Sequence, residues 1–474
     1  MEKFEGCIFT ALCSTNFLIS CLLFSRVTRE QRDPYMDEIF HVPQAQKYCH
    51  GIFNEWDPMI TTLPGLYLVS VGLIKPVVWL TDLTGAVVCS TAMLRFINLL
   101  FNCGNLYLLY LLFCKLHLRE KAQTTSRRIL SALSLSSFPV LYFFNFLYYT
   151  DAGSTFFILF TYLMTLYGCH KTAAFLGTCS VLFRQTNIIW VAFCACTLVA
   201  AKMDEAWRAE DTKKRDEKSP PSQVPLSFSG GKKVMLFTLE FLMAPSHLKV
   251  VLLMAWPYAV VGMGFLLFVV LNDGIVVGDR TSHEVCLNFP QLFYFFSFTF
   301  FFSLPISLCY RRVLRFLQAL KKHPLFFLFL TCICLLLVWK FTFVHRYLLS
   351  DNRHFPFYVW KRLFQRHELV RFILVPVYVL AGWSFIDSFK SRSLFWSLAF
   401  LACLLAATVP QRLLEFRYFI IPYLLYRLHM PLPSLPRLIL EFLLYTAVNA
   451  ATLYIFITRT FHWPDSTATQ RFMW

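Results

Sequence analysis

Apolar runs long enough to cross a lipid bilayer recur from one end of this 474-residue chain to the other. Clear examples are Cys7–Phe24, Leu94–Cys114, Val250–Leu271, Leu292–Cys309, Leu325–Phe343 and Leu438–Ile457. A helical crossing takes roughly 20 apolar residues, and backbone inside hydrocarbon must satisfy its own hydrogen bonds, as a helix does. The chain is 57% hydrophobic and 15% charged, whereas soluble domains carry about 25% charge. These features exclude a soluble globular fold. They predict an all-α polytopic membrane protein of about 12–14 transmembrane helices, by length arithmetic. The first run has no small-residue cleavage site before Arg26 and reads as a signal anchor, not a removed leader. In a membrane protein a net charge of +17 is read loop by loop, and no nucleic-acid partner is expected. Most of the sixteen cysteines lie in apolar runs, where they act as small hydrophobes. Cys49 and Cys286 fall in expected loops, which leaves a disulfide between them open.

Charge sets the expected topology. With the N-terminus cytosolic, residues 25–62 are lumenal. Leu66–Leu80 is apolar but interrupted by Lys75-Pro76 after nine residues, and a helix of that length rises only about 14 Å. It is expected to be an interfacial or re-entrant lumenal helix. Lys115, Arg119, Lys121, Arg127 and Arg128 then fall in the cytosol, as the positive-inside tendency prefers. The expected organisation is an N-terminal transmembrane module, 1–201, with a first lumenal loop at 25–92. A polar and disordered cytosolic linker, 202–247, leads to a C-terminal transmembrane module, 248–474. The lumenal segment 340–371 breaks the pattern. It holds Lys340, Arg346, Arg353, Lys361, Arg362, Arg366 and Arg371. Such cations either snorkel to lipid phosphates or bind a phosphorylated substrate, which arginine does bidentately.

The first loop carries Asp33-Pro34-Tyr35-Met36-Asp37-Glu38-Ile39-Phe40-His41. Asp33 and Pro34 have the form of an N-cap and first helical residue. A short helix starting there sets Asp37 and His41 on one face, four residues apart. Sugar transfer from a lipid phosphate needs a carboxylate to take the proton of the attacking hydroxyl and fixed cations for the departing phosphate. An acidic helix and a basic segment on one side of the membrane would supply both. Asp151 is a second carboxylate at the lumenal end of a span, equally readable as a helix cap. Asp57 reads as a turn residue and Arg184 as a snorkelling or substrate-binding cation. Asp37 and His41 offer at most two metal ligands, so no metal is expected.

Pro34–His41, the string Trp56-Asp57-Pro58-Met59-Ile60-Thr61-Thr62-Leu63-Pro64-Gly65-Leu66-Tyr67, and Asn145–Ser154 closely resemble the dolichyl-phosphate-glucose alpha-1,2-glucosyltransferase family. Further matches are Phe183–Asn187, Gly278-Asp279-Arg280, Asp351–His354 and Leu414–Tyr418, so the resemblance covers the whole chain. It implies a GT-C glycosyltransferase fold in the endoplasmic reticulum membrane, with juxtamembrane helices in the first loop and a lumenal active site. It implies a dolichyl-phosphate-glucose donor and a diglucosylated dolichyl-diphosphate oligosaccharide acceptor in the bilayer. The implied transfer to the terminal 2-hydroxyl is inverting and needs neither metal nor cofactor. The catalytic base of such enzymes, an acidic residue of the first lumenal loop, falls on Asp37, with Glu38 second. From charge and side, Arg353, His354, Arg362, Arg366 and Arg417 are the candidates for donor phosphate, and His41, Asp151 and Arg184 for substrate. A mannosyltransferase of the same superfamily, a secondary transporter and a non-catalytic membrane modulator remain as rival readings. A transporter would carry its charges near the bilayer midplane.

Overall fold

The computed structural model describes residues 2–81, 88–117, 125–213, 228–280 and 286–474. Helix α1 (Glu2–Glu30) leads into α2 (Glu38–Cys49), α3 (Gly65–Thr81) and α4 (Thr91–Leu116). Then come α5 (Thr125–Ser136), α6 (Pro139–Phe144), α7 (Asp151–Leu166), α8 (His170–Phe183) and α9 (Ile188–Lys213). The second half holds α10 (Phe228–Met243), α11 (Pro245–Leu271), α12 (Pro290–Phe302), α13 (Leu304–Ser307), α14 (Tyr310–Lys322) and α15 (Pro324–Phe341). Short turns α16 (Arg346–Ser350), α17 (Phe355–Val359) and α18 (Val370–Ile373) precede α19 (Val375–Ser388), α20 (Leu394–Thr408), α21 (Ile420–His429) and α22 (Leu435–Thr458). The tail adds a two-residue antiparallel ribbon, β1 (Thr460–Phe461) with β2 (Gln470–Arg471).

Seven of the described helical stretches are long and apolar enough to cross a membrane: those of α1, α4, α9, α11, α15, α18–α19 and α22. Three more, α3, α7 and α20, are apolar but shorter. Length arithmetic gives a larger number because it treats each apolar run as one straight helix. Here runs are broken, at Pro139 between α5 and α6 and at Pro305 between α12 and α13. Aromatic rings fill the bundle where polar groups cannot: Phe138 stacks on Tyr423 at 4.6 Å and Phe385 on Tyr426 at 4.6 Å. An ion pair is buried between its last helices, Arg427 of α21 donating to Glu441 of α22 at 2.9 and 2.6 Å.

Several expectations are corrected. Asp33 and Pro34 do not open α2; the helix starts at Glu38 with Asp37 as its N-cap residue. Met36 adopts φ +58°, a left-handed conformation that a helix cannot contain, and this holds the start back. Cys49 is bonded to Cys89, not Cys286; the Cys286 N–H donates to the Pro410 carbonyl at 3.3 Å. The sequence run around Cys89 looks apolar and helical, yet Cys89 sits at φ +58° in a turn just before Ser90 caps α4. Helix α3 is continuous across Pro76 and is not stopped at Lys75. In the linker, α9 runs on to Lys213 and α10 is helical, with Phe237 against Trp207 and Phe395. Arg119, Lys121 and 214–227 lie outside the described residues.

The loop after α11 docks on the first loop. The Asp279 N–H donates to the Pro58 carbonyl at 2.8 Å, and Val277 N–H reaches Thr61 at 3.4 Å. Between them Gly278 has φ +73°, and a Cβ there would stand 2.3 Å from the Pro58 oxygen and 2.6 Å from that of Ile60. Both neighbours are backbone, so neither can give way. Gly278→Ala is therefore expected to cost about 1–3 kcal/mol of local stability. The check is limited trypsin digestion: cleavage after Arg280 should accelerate in the variant, and unchanged cleavage would refute the docking.

Candidate active site

The site lies where the first loop meets the turns before α7 and α21. Asp37 would ordinarily spend its carboxylate on capping its own helix, but here it makes no such bond. The first N–H groups of α2 bond to backbone instead, Glu38 to the Tyr35 carbonyl at 3.2 Å and Ile39 to that of Met36 at 3.0 Å, while Glu38 Oε2 accepts from the Tyr35 N–H at 3.0 Å. Asp37 is left 44% exposed and turned toward Arg417, whose Nη2 lies 3.3 Å from its Oδ2. The Asp37 N–H donates to the Tyr149 hydroxyl at 3.2 Å. That tyrosine is held by Asn98, which donates to the carbonyls of Leu147 at 2.6 Å and Tyr149 at 2.8 Å.

Glu38 has no such freedom. Its Oε1 accepts from Arg95 Nε at 2.8 Å and the Tyr148 N–H at 2.6 Å, and Arg95 Nη2 donates to its Oε2 at 2.6 Å. Arg95 also donates to the carbonyls of Gln31 at 2.5 Å and Asp33 at 3.1 Å. Both side chains are wholly buried. The pair fastens the acidic loop to α4.

Arg417, on a short 3-10 turn (Phe416–Phe419), is the hub of the charges. It pairs with Glu415 and Asp37, and its Nη1 lies 3.6 Å from Asp151 Oδ2. Its guanidinium lies over the Phe144 and Tyr149 rings at 5.1 Å. Asp151, the first residue of α7, also meets Arg184 Nη1 at 3.0 Å, and Arg184 lies over Tyr418. Two guanidinium groups thus face three carboxylates. Burial works against the Arg417 charge, and Glu415, Asp37 and Asp151 overcome it, so the guanidinium stays protonated. Partial desolvation raises the Asp37 carboxyl, but Arg417, aided by His41 and His354, holds it below the usual carboxylate range. His41 bonds through Nδ1 to the Tyr67 hydroxyl at 2.5 Å. Burial outweighs the pull of Asp37 and pushes His41 down to about 4. Among the described residues no three His, Cys, Asp or Glu groups are arranged to hold a metal ion.

The basic segment divides. Arg353 and His354 stand at this end of the bundle, and His354 contributes to the field at Asp37. Arg353 donates Nε and Nη2 to Asp351 at 2.9 and 2.8 Å, with Nη1 on Gln470 at 3.2 Å. Arg362 and Arg366 are exposed. Arg362 lies over the Tyr358 ring, and no contact joins either arginine to the Asp37 cluster. Sequence reasoning did not single out Tyr149, Glu415 or Arg95. The first two stand inside matched motifs, whereas Arg95, a lone cation inside an apolar run, was a signal that an acidic partner must exist.

A sequence model of the DIE2/ALG10 family matches residues 31–428, a span that begins just before the acidic loop and ends beyond Arg417. The chain belongs to the DIE2/ALG10 family. It is 58% identical to a mouse (Mus musculus) protein and 57% to a human one, in each case over 100% of both chains. An Arabidopsis thaliana relative is 33% identical over 93% of this chain and 95% of its own. All three relatives are named Dol-P-Glc:Glc(2)Man(9)GlcNAc(2)-PP-Dol alpha-1,2-glucosyltransferase. Among solved structures the Archaeoglobus fulgidus oligosaccharyltransferase, crystallised with Zn and sulfate, overlaps 88% of this chain and 54% of its own. At 12% identity and a TM-score of 0.30 that overlap carries no argument.

Proposed function

We propose that this DIE2/ALG10 member transfers one glucose from dolichyl-phosphate-glucose to the 2-hydroxyl of the terminal glucose of Glc2Man9GlcNAc2-diphosphodolichol. The reading includes a GT-C architecture, residence in the endoplasmic reticulum membrane and a lumenal site. The substrates come from the names of relatives matched over the full chain. The observation that carries the chemistry is Asp37: a half-exposed carboxylate, released from capping and kept ionised beside Arg417.

In this reaction the acceptor hydroxyl attacks the anomeric carbon from the face opposite the phosphate. Its proton goes to the Asp37 carboxylate, and the glycosidic C–O electrons leave with dolichyl phosphate. A β-linked donor gives an α product, with no covalent sugar–enzyme stage. Arg353 and His354 are the cations assigned to the departing phosphate. Arg417, already shared among three carboxylates, is better suited to aiming Asp37 than to clamping phosphate. Arg184 and Asp151 brace that arginine, and Glu38 braces the loop. Purified protein given synthetic donor and acceptor should form a single new α-1,2-linked glucose. Transfer only from a mannosyl donor, or none, would overturn the reading.

A pH profile follows. Asp37 is active when ionised, so its contribution is complete above the usual carboxylate range and is lost only as pH falls through its depressed value. His41, lowered to about 4, is neutral over the same interval. Neither group should cause a fall in kcat/KM between about pH 7.5 and about pH 5.5. An inflection inside that window that moves in Asp37→Glu would contradict the assignment.

A further inference from the structure

The tail after α22 folds back over the site, and its contacts fall on the segments that chemistry would need held together. Met473 forms a parallel β-bridge with His354. Its N–H donates to the Arg353 carbonyl at 2.9 Å, and its carbonyl accepts from the Phe355 N–H at 3.0 Å. Gln470 Oε1 accepts from Arg353 Nη1, while the Trp463 indole lies under the Arg353 guanidinium at 4.8 Å and donates to Asn352 at 3.0 Å. The same strand is fastened to the acidic loop. The Tyr35 hydroxyl donates to the Arg471 carbonyl at 2.7 Å and accepts from the Arg471 N–H at 2.8 Å. The Arg471 guanidinium, 6% exposed as a residue, donates to Gln31 Oε1 and to the carbonyls of Glu30, Phe456 and Ile457. Trp474 packs on Phe416, the neighbour of Arg417.

We infer that residues 470–473 are a positioning clasp that sets the Arg353–His354 pair against Asp37 and so determines how the enzyme holds the donor phosphate. The inference rests on the glucosyl-transfer reading. Neither Arg353 nor His354 belongs to a long helix: they follow the five-residue α16 and precede the five-residue α17. Elements that short do not hold a shape alone. The tail strand takes the Arg353 carbonyl and the Phe355 N–H on either side of His354, and that strand is registered on Tyr35, two residues from Asp37. A cation for a developing phosphate charge must be in place before the reaction to be effective.

The test uses the full-length protein and three variants, Tyr35→Phe, Gln470→Ala and deletion of 470–474. The readouts are KM for each substrate, kcat and thermal stability. The clasp predicts kcat/KM for the donor lowered about 10- to 100-fold in the deletion. KM for the acceptor should stay near the wild-type value, and the two point variants should fall between. A peptide of sequence 459–474 added to the deletion protein should restore part of the donor KM. Lowered thermal stability with unaltered kinetic constants, or equal losses for donor and acceptor, would overturn the clasp. Should the deletion protein fail to fold, Tyr35→Phe, which removes only the hydroxyl's hydrogen bonds, and Gln470→Ala, a truncation of one buried side chain, decide the matter alone. Failure of the wild-type protein to transfer glucose would instead strike the underlying function.

Discussion

Asp37→Asn is expected to leave a folded protein whose glucose transfer has fallen about 10²–10⁴-fold, the usual contribution of a positioned general base. The amide has the shape of the carboxylate, and its oxygen can still face Arg417. The Asp37 N–H bond to Tyr149 involves backbone and is unaffected. The lost property is the capacity to take a proton. Donor KM should change little, since the cations proposed for the phosphate, Arg353 and His354, are elsewhere. Single-turnover transfer with synthetic substrates is the measurement. Turnover within about tenfold of wild type would remove Asp37 as the base.

Arg95→Met is expected to be the most damaging substitution for folding. It leaves the Glu38 carboxylate buried with no counter-charge, and breaking such a pair costs about 3–5 kcal/mol from a total stability of about 5–15 kcal/mol. The carbonyls of Gln31 and Asp33 lose their donor as well. Glu38→Gln in the same background removes the stranded charge and should recover part of the loss, though the single amide oxygen can accept from only one of the Tyr35 and Tyr148 N–H groups and the NH2 faces the other. Detergent-solubilised yield and thermal unfolding follow both steps. If Glu38→Gln alone kept full stability but lost transfer, the catalytic carboxylate would be Glu38 rather than Asp37.

The membrane class and the two poles of the site were legible in the residues because each breaks an expectation. Apolar runs leave no soluble alternative, and arginines on an expected lumenal stretch need an anionic reason. Which of two adjacent carboxylates is left exposed was not legible. That choice depends on one left-handed residue, Met36, and on Arg95, 57 positions away from Glu38. Charge alone also could not divide Arg353 from Arg362 and Arg366, since all three follow the same pattern and only contacts with the tail distinguish the first. The tail itself gives little sequence signal: its partner Tyr35 lies 436 positions earlier, and pairing at that distance comes from packing, not local propensity.

The acidic loop and the 351–355 segment are expected to hold one donor headgroup between them. A dolichyl-phosphate-glucose analogue with a photoreactive diazirine on the sugar, crosslinked to the purified protein and mapped by peptide mass spectrometry, tests this most directly. Adducts are expected on both 33–41 and 351–355, suppressed by unlabelled donor. Competed adducts confined to 360–371, with the acidic loop unlabelled, would contradict it.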